Sequence, residues 1–529
     1  MPQASRSTDA PRRQRPHSPR PELPLDGVRP APLDEAGPPD AATGVARVNA
    51  DDMARALAVL AAVHELPPDH ADAVAIRRAT ASIYKQYKQD RRTARREAVS
   101  SADRAVLQAT ATGSPQRIDD ETAGIPLVSS APGATAGEYV KARPCYICKQ
   151  HYTVVDAFYH QLCPECAAMS HEKRTARTDL TGRRALLTGG RAKIGMYIAL
   201  RLLRDGAHTT ITTRFPHDAA RRFAACEDAA DWMHRLRIVG IDLRDPSQVV
   251  SLAETVSAAG PLDIIINNAA QTVRRSPGSY SALVAGEAQP LEPELLARGT
   301  EVLTFDRISE AHPAALAGSL AAHPQPHVPQ GVSADDWSRM AMVAGSASLA
   351  RHESGTAVDA GGLLPDVTDV NSWTQVVGQV DALELLEVQL CNQTAPFILV
   401  SMLRPALAAS SAARRYIVNV SAMEGVFGRG YKGPGHPHTN MAKAALNMMV
   451  RTSAAELFEA DRILMTAVDT GWITDERPHH TKIRLAQEGF HAPLDLVDGA
   501  ARVYDPIVQG EAGVDLYGVF LKDYRPHRW

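Results

Sequence analysis

No apolar run in this 529-residue chain approaches the roughly 20 residues that a helix needs to cross a bilayer. No secretory pattern opens it either, since Arg12, Arg13 and Arg15 lead into prolines rather than an apolar stretch. These absences predict a soluble, cytoplasmic protein with no membrane partner. Charge of one sign is not in excess: a formal net charge of -3 offers no overall field to a polyanion, which argues against nucleic acid as a partner. Cysteine is scarce at six residues, and four of them fall in two close pairs. In a reducing compartment such pairs favour a metal over disulfides. No internal repeat is visible, and the apolar and charged fractions, 44% and 22%, are those of an ordinary globular protein.

Large apolar residues are almost missing from residues 1–45, which hold ten of the 36 prolines. Such a segment cannot bury enough surface to offset its ordering entropy, and a disordered Pro/Arg-rich tail is expected. Residues 48–111 read as helical, with Met53, Leu57, Leu60, Ala61 and Val63 at helix spacing and a break at Pro67-Pro68. The second helical stretch runs into Tyr84–Arg92 and Arg95-Arg96, a basic face that reads first as solvated surface and second as a nucleic-acid or acidic-partner surface. Residues 112–138, rich in Gly, Ser, Pro and Thr, are expected to be a linker.

Cys145-Tyr-Ile-Cys148 and Cys163-Pro-Glu-Cys166 are two CxxC turns with fourteen residues between them. Each turn places two thiolates on one side of a metal, and two turns complete a zinc tetrahedron. Four thiolates leave no open position, so Zn2+ here is expected to be structural, within a module of about 140–176.

From Asp179 onward short β-rich runs alternate with helical patterns, the signature of an α/β fold: a doubly wound parallel-sheet Rossmann domain, here 179–529. It is preceded by the small zinc module and the helical N-terminal region. Expected strands are Arg184–Thr188, Thr209–Arg214, Arg237–Leu243, Leu262–Asn267, Tyr416–Ser421, Leu464–Val468 and Val514–Phe520. The alternation lapses over about 271–372, too long for an ordinary connection, and a large insertion is expected there.

The first strand runs into Thr188-Gly189-Gly190-Arg191-Ala192-Lys193-Ile194-Gly195, and a helical pattern follows. A glycine turn there lets backbone approach a pyrophosphate resting on the helix N-terminus. The turn resembles the TGxxxGxG loop of the short-chain dehydrogenase/reductase family, with Lys193 at its middle glycine. The register continues in Asp242-Leu243, in Asn267-Asn268-Ala269-Ala270, in Asn392, in Ile417–Ser421, in Met441-Ala-Lys443 and in Asp469-Thr-Gly471-Trp-Ile473. By this resemblance Thr188, Gly189, Gly190, Arg191, Lys193, Ile194, Gly195, Asp242, Leu243, Asn268, Ala269, Lys443, Gly471 and Ile473 bind a dinucleotide. The second strand ends in Arg214 with no acid to take a ribose 2′-hydroxyl, and Arg191 and Lys193 add positive charge, so NADP(H) is favoured over NAD(H).

The resemblance implies a tyrosine acid with a lysine four residues later, an orienting serine and an asparagine. Lys443 and Asn392 stand in place, but Thr439 occupies the tyrosine position and Ala422 the serine position, with Ser421 beside it. A threonine hydroxyl is too weak an acid to inherit the role. Tyr431, in the loop before the helix, His436 or His438 are substitutes, or Lys443 acts alone. The expected function is an NADP(H)-dependent oxidoreductase on an unidentified carbonyl or alcohol. The alternative is a catalytically silent NADP(H)-binding sensor or scaffold that meets a protein partner through the zinc module. The resemblance also implies a homo-oligomer built on helices near 382–410 and 440–458.

Overall fold

The computed structural model describes residues 37–39, 46–117, 127–305, 357–365, 368–430, 432–474 and 476–529, with single positions 333, 336 and 351. The chain divides into two compact units, residues 1–96 and 97–529. In the first, helix α1 (Ala50–Ala62) is capped by the Asn49 side chain and helix α2 begins at Ala71. Helix α2 (Ala71–Ala109) runs unbroken through Arg95-Arg96. Most of the segment expected to be disordered lies outside the described residues, although Gly37–Pro39 pairs with Ala46–Arg47.

The second unit opens with an antiparallel hairpin, β1 (Thr135–Pro144) and β2 (His151–Asp156), followed by α3 (Pro164–Thr175). Strand β1 starts inside the stretch expected to be linker, and Thr112 and Arg117 of that stretch are buried. Arg117 explains why: its guanidinium donates to the carbonyls of Ala492 and Leu494 at 2.7 and 2.6 Å, tying the segment to the far end of the chain.

The main sheet uses β3 (Arg184–Leu187), β4 (His208–Thr213), β5 (Leu236–Gly240), β6 (Ile264–Asn267), β7 (Glu301–Thr304), β8 (Arg415–Ser421), β9 (Ile463–Asp469), β10 (Phe520–Lys522) and β11 (Arg525–His527). Their spatial order is β11-β10-β9-β8-β6-β3-β4-β5-β7, parallel throughout except for β10–β11. The order in which the chain adds strands to the sheet reverses between β3 and β6, the place where an open α/β sheet forms a crevice at its carboxyl edge. Runs such as Ile264-Ile265-Ile266 are buried on both faces, as a parallel sheet covered by helices requires. One face carries α4 (Lys193–Arg204), α5 (Pro216–Ala224) and α10 (Leu496–Glu511); the other carries α6 (Pro246–Ala258), α8 (Ala395–Ala408) and α9 (Pro437–Asp461). The hairpin's Tyr139, Tyr152 and Val155 share the first of these cores, so the cysteine module is part of the Rossmann unit rather than a separate body.

Two edges differ from expectation. The last strand was expected at Val514–Phe520, but Gly513 and Gly518 take positive φ and turn the chain, so β10 begins only at Phe520. The insertion supplies β7, a four-residue strand whose Val302 pairs with Ile238 and extends the sheet. Most of residues 306–356 lie outside the described residues.

Candidate functional site

The glycine turn leaves β3 and enters α4 with almost no room. A β-carbon on Gly189, where φ is +68°, would sit 2.9 Å from the Ala269 Cα; on Gly190 it would sit 2.6 Å from Ile211; and on Gly195, 1.9 Å from the Gly189 carbonyl oxygen. Lys193 fills the middle glycine position of the pattern with φ 53°, a left-handed conformation that costs a side-chain-bearing residue about 1–2 kcal/mol. The position therefore keeps the conformation a glycine would adopt. Helix α4 has no capping side chain at Ala192 and no acid in its first turn, which suits an anion at its N-terminus. The turn is locked to the end of β6: Thr188 Oγ1 accepts from the Asn268 and Ala269 amides at 3.0 Å, and Asn268 Nδ2 donates to the Thr188 and Gly189 carbonyls at 3.1 Å.

Three of the expected cofactor contacts are engaged within the protein. Arg191 is turned to Asp218 and to the Gly361 carbonyl of the insertion at 2.7 Å, so in this conformation its charge is not presented to a phosphate. Lys193 Nζ lies 3.8 Å from Asp359 of the same segment. Asp242 accepts from Arg244 at 2.6 and 2.9 Å; burial favours its neutral form, but the Arg244 and Arg214 charges hold its carboxyl below the usual range. Leu243 is buried beneath it. Arg214 lies over the Tyr280 ring, 5.1 Å from its centroid, at the mouth of β4. On the far side of the crevice Gly471 takes φ +77°, and Ile473 and Ile194 both pack onto Gly499 of α10, where an added β-carbon would lie 2.9 and 3.2 Å from them. Gly499 thus lets the two halves of the crevice close on α10. Sequence reasoning missed it, although an isolated glycine within a helical pattern is a recognised signal of close packing.

At the carboxyl ends of β6, β8 and β9, Asn267 stands in register with Asn419, and Ser421, one of the residues expected to carry chemistry, with Asp469. Asn392 sits in a single π-helical turn, Leu390–Thr394, between α7 (Ala382–Gln389) and α8. Its carboxamide is bound at both ends to Gln271, accepting from the amide at 2.7 Å and donating to the carbonyl at 2.9 Å. Lys443 Nζ donates to the Val420 carbonyl at 2.7 Å, and burial brings its pKa down to about 8 against the opposing charges of Cys391 and Glu424. Thr439 and Lys443 share one stripe of α9, but the Thr439 hydroxyl folds back onto the His436 carbonyl at 2.9 Å. The Ser421 hydroxyl is donated to Asn447 at 2.6 Å. Neither hydroxyl takes the place of the missing phenol. His436 stacks on Trp373 at 3.9 Å between centroids, and His438 is buried 3.9 Å from Glu384, with burial lowering its pKa. His436 stands at the N-cap of α9 without a side-chain capping bond, its Nδ1 3.0 Å from the Trp373 carbonyl. Tyr431 lies outside the described residues. Asp469, which the sequence reading passed over, is buried and its pKa is pushed up to about 6 by that burial and by the charges of Asp523 and Glu424.

The sulfurs of Cys145, Cys148, Cys163 and Cys166 lie within 4.8 Å of one another, with Cys148 and Cys163 3.6 Å apart. A zinc tetrahedron with bonds of about 2.3 Å has sulfur–sulfur edges of roughly 3.8 Å, so the cluster fits a four-thiolate metal. Tyr146, inside the first CxxC turn, reaches the crevice: its hydroxyl accepts from the Trp472 amide at 2.9 Å. Among the described residues no helix is long and apolar enough to cross a membrane.

Residues 183–282, from β3 past the glycine turn to the start of the insertion, match the family model described as short chain dehydrogenase. An uncharacterised protein of Acanthamoeba polyphaga mimivirus is 29% identical over 384 residues, 69% of this chain and 71% of that one. A Streptomyces lividans protein named "Probable oxidoreductase" is 41% identical over 91 residues, which cover 17% of this chain and only 29% of the relative's own length. A solved Pseudomonas aeruginosa structure titled "RhlG/NADP active-site complex" aligns over 65% of this chain and 95% of its own, at 18% identity and a TM-score of 0.38.

Proposed function

We propose that the chain is an NADP(H)-dependent oxidoreductase of the short-chain dehydrogenase type, reducing a carbonyl or oxidising an alcohol, with a structural Zn2+ at its four clustered cysteines. The observation that carries this reading is Lys443, whose ammonium is held on the Val420 carbonyl and feels the charge of Cys391, at the carboxyl edge that faces the glycine turn. The dinucleotide, when bound, supplies or accepts the hydride. Gly189, Gly190 and Gly195 keep the turn tight enough for its phosphates to rest on the N-terminus of α4, where Lys193 adds charge. Arg214 at the end of β4, with no acid in that place, favours the 2′-phosphate form.

With Thr439 and Ser421 committed to neighbours, the proton falls to Lys443. At a pKa of about 8 its Nζ exchanges a proton with a substrate oxygen near neutral pH, and solvent reloads it. Asn392 fixes Gln271 and so the wall of the pocket where the insertion begins. The Cys145, Cys148, Cys163 and Cys166 thiolates would hold the metal with no position left for substrate. NADPH oxidation across a panel of aldehydes and ketones tests the reading. Turnover that disappears in Lys443→Ala is expected; no turnover by the wild type with any carbonyl would sink it.

A further inference from the structure

Tyr146 stands where two sites of different chemistry meet. Its backbone is built into the cysteine cluster: its amide donates to the Gln161 carbonyl at 2.8 Å, and the adjacent Cys145 amide donates to the Gln150 carbonyl at 2.8 Å, closing the turn that presents two of the four sulfurs. Its side chain leaves the cluster and is half-buried against the loop that follows β9. There the phenol oxygen accepts from the Trp472 amide at 2.9 Å, between Gly471, whose φ of +77° marks a sharp bend, and Ile473, which packs against Ile194 across Gly499. Lys522, 5.6 Å from the Tyr146 ring centroid, and Arg502, beside Gly471, complete the setting. The same module is tied to α10 at that helix's capped start, where Arg174 is bidentate to Asp495 at 2.6 and 3.1 Å and Tyr159 donates to Asp498 at 2.6 Å.

We infer that Tyr146 is a positioning residue for the dinucleotide site, through which the metal state of the four-cysteine cluster sets the loop Gly471–Ile473 and hence the affinity for NADP(H). The inference rests on the proposed dinucleotide and zinc reading. A metal-bound cluster fixes the Cys145–Cys148 turn, the turn fixes the phenol, and the phenol holds the loop amide. An emptied cluster frees the turn, and the Trp472 amide loses its acceptor.

The test uses the full chain carrying zinc, compared as wild type and Tyr146→Phe, with zinc content, NADPH affinity by calorimetry and amide exchange at Trp472 all measured. Tyr146→Phe keeps the ring and the four thiols and removes only the acceptor. It is expected to retain zinc, to bind NADPH about tenfold more weakly, the scale of one lost hydrogen bond, and to exchange the Trp472 amide faster. Stripping zinc from the wild type is expected to weaken NADPH to the same degree and to add nothing further in Tyr146→Phe. Equal NADPH affinity in the two zinc-bearing proteins would overturn the inference, as would stripping that weakens both equally or protein that purifies without metal. A wild type that binds no NADPH removes the dinucleotide reading itself, and exchange at Trp472 then still decides whether the cluster governs the loop.

Discussion

At Lys443 two influences compete: burial favours the neutral amine, and the charges of Cys391 and Glu424 favour the ammonium. The balance lies at about 8, so the charged form dominates at neutral pH and is lost as pH rises. The rate of carbonyl reduction, which needs the protonated form, is therefore expected to fall on the alkaline side, by about tenfold at one unit above that value. A pH profile of kcat/KM for carbonyl reduction should show this limb with a midpoint near 8; a rate that stays flat to one unit above that value would assign the proton to another group. Lys443 and Asn392 were legible in the sequence only through the resemblance of their segments to the short-chain dehydrogenase family, and the cysteines because a CxxC turn has few other uses. The fate of Arg191 was not legible. Its carbonyl partner, Gly361, is 170 residues away, and only folding of the insertion brings the two together. Tyr146 was hidden for the same reason, since nothing within its turn signals a partner at Trp472.

Among the elements, the junction of β3 and α4 is the least tolerant of change. Ala at Gly195 would drive a β-carbon to 1.9 Å from the Gly189 carbonyl and 2.8 Å from Asn268, so either the helix start or the lock on β6 must move. Gly195→Ala is expected to cost about 3 kcal/mol of stability and to abolish NADPH binding, whereas Gly378→Ala, which meets nothing within 4 Å, should be neutral in both. Denaturant unfolding and calorimetry on the two variants check this; a Gly195→Ala protein that binds normally would show that the turn does not receive the phosphates. Buried apolar runs such as Ile264–Asn267 and Ile463–Asp469 were readable because a parallel strand covered on both faces leaves an unbroken hydrophobic stretch. Strand β7 escaped notice because four residues with exposed ends carry no such stretch, and the final strand was misplaced because glycine φ angles at 513 and 518 decide where extension begins.

Across the whole of residues 97–529, the cysteine module, the sheet and the helix α10 form one cooperative body. Arg174 and Arg117 link residues more than 300 positions apart in sequence through buried charge and carbonyl contacts. That is why a sequence reading could recognise the module and the dinucleotide fold separately yet not foresee that they share a core. The account stands on dinucleotide binding with a preference set by Arg214 and Lys193. Its most direct test is titration of the purified protein with NADPH and with NADH by calorimetry. Micromolar or tighter binding of NADPH, with NADH at least tenfold weaker, is the predicted result; no binding of either would mean that the glycine turn, with Lys193 in its left-handed place and Asp359 beside it, is closed to the cofactor.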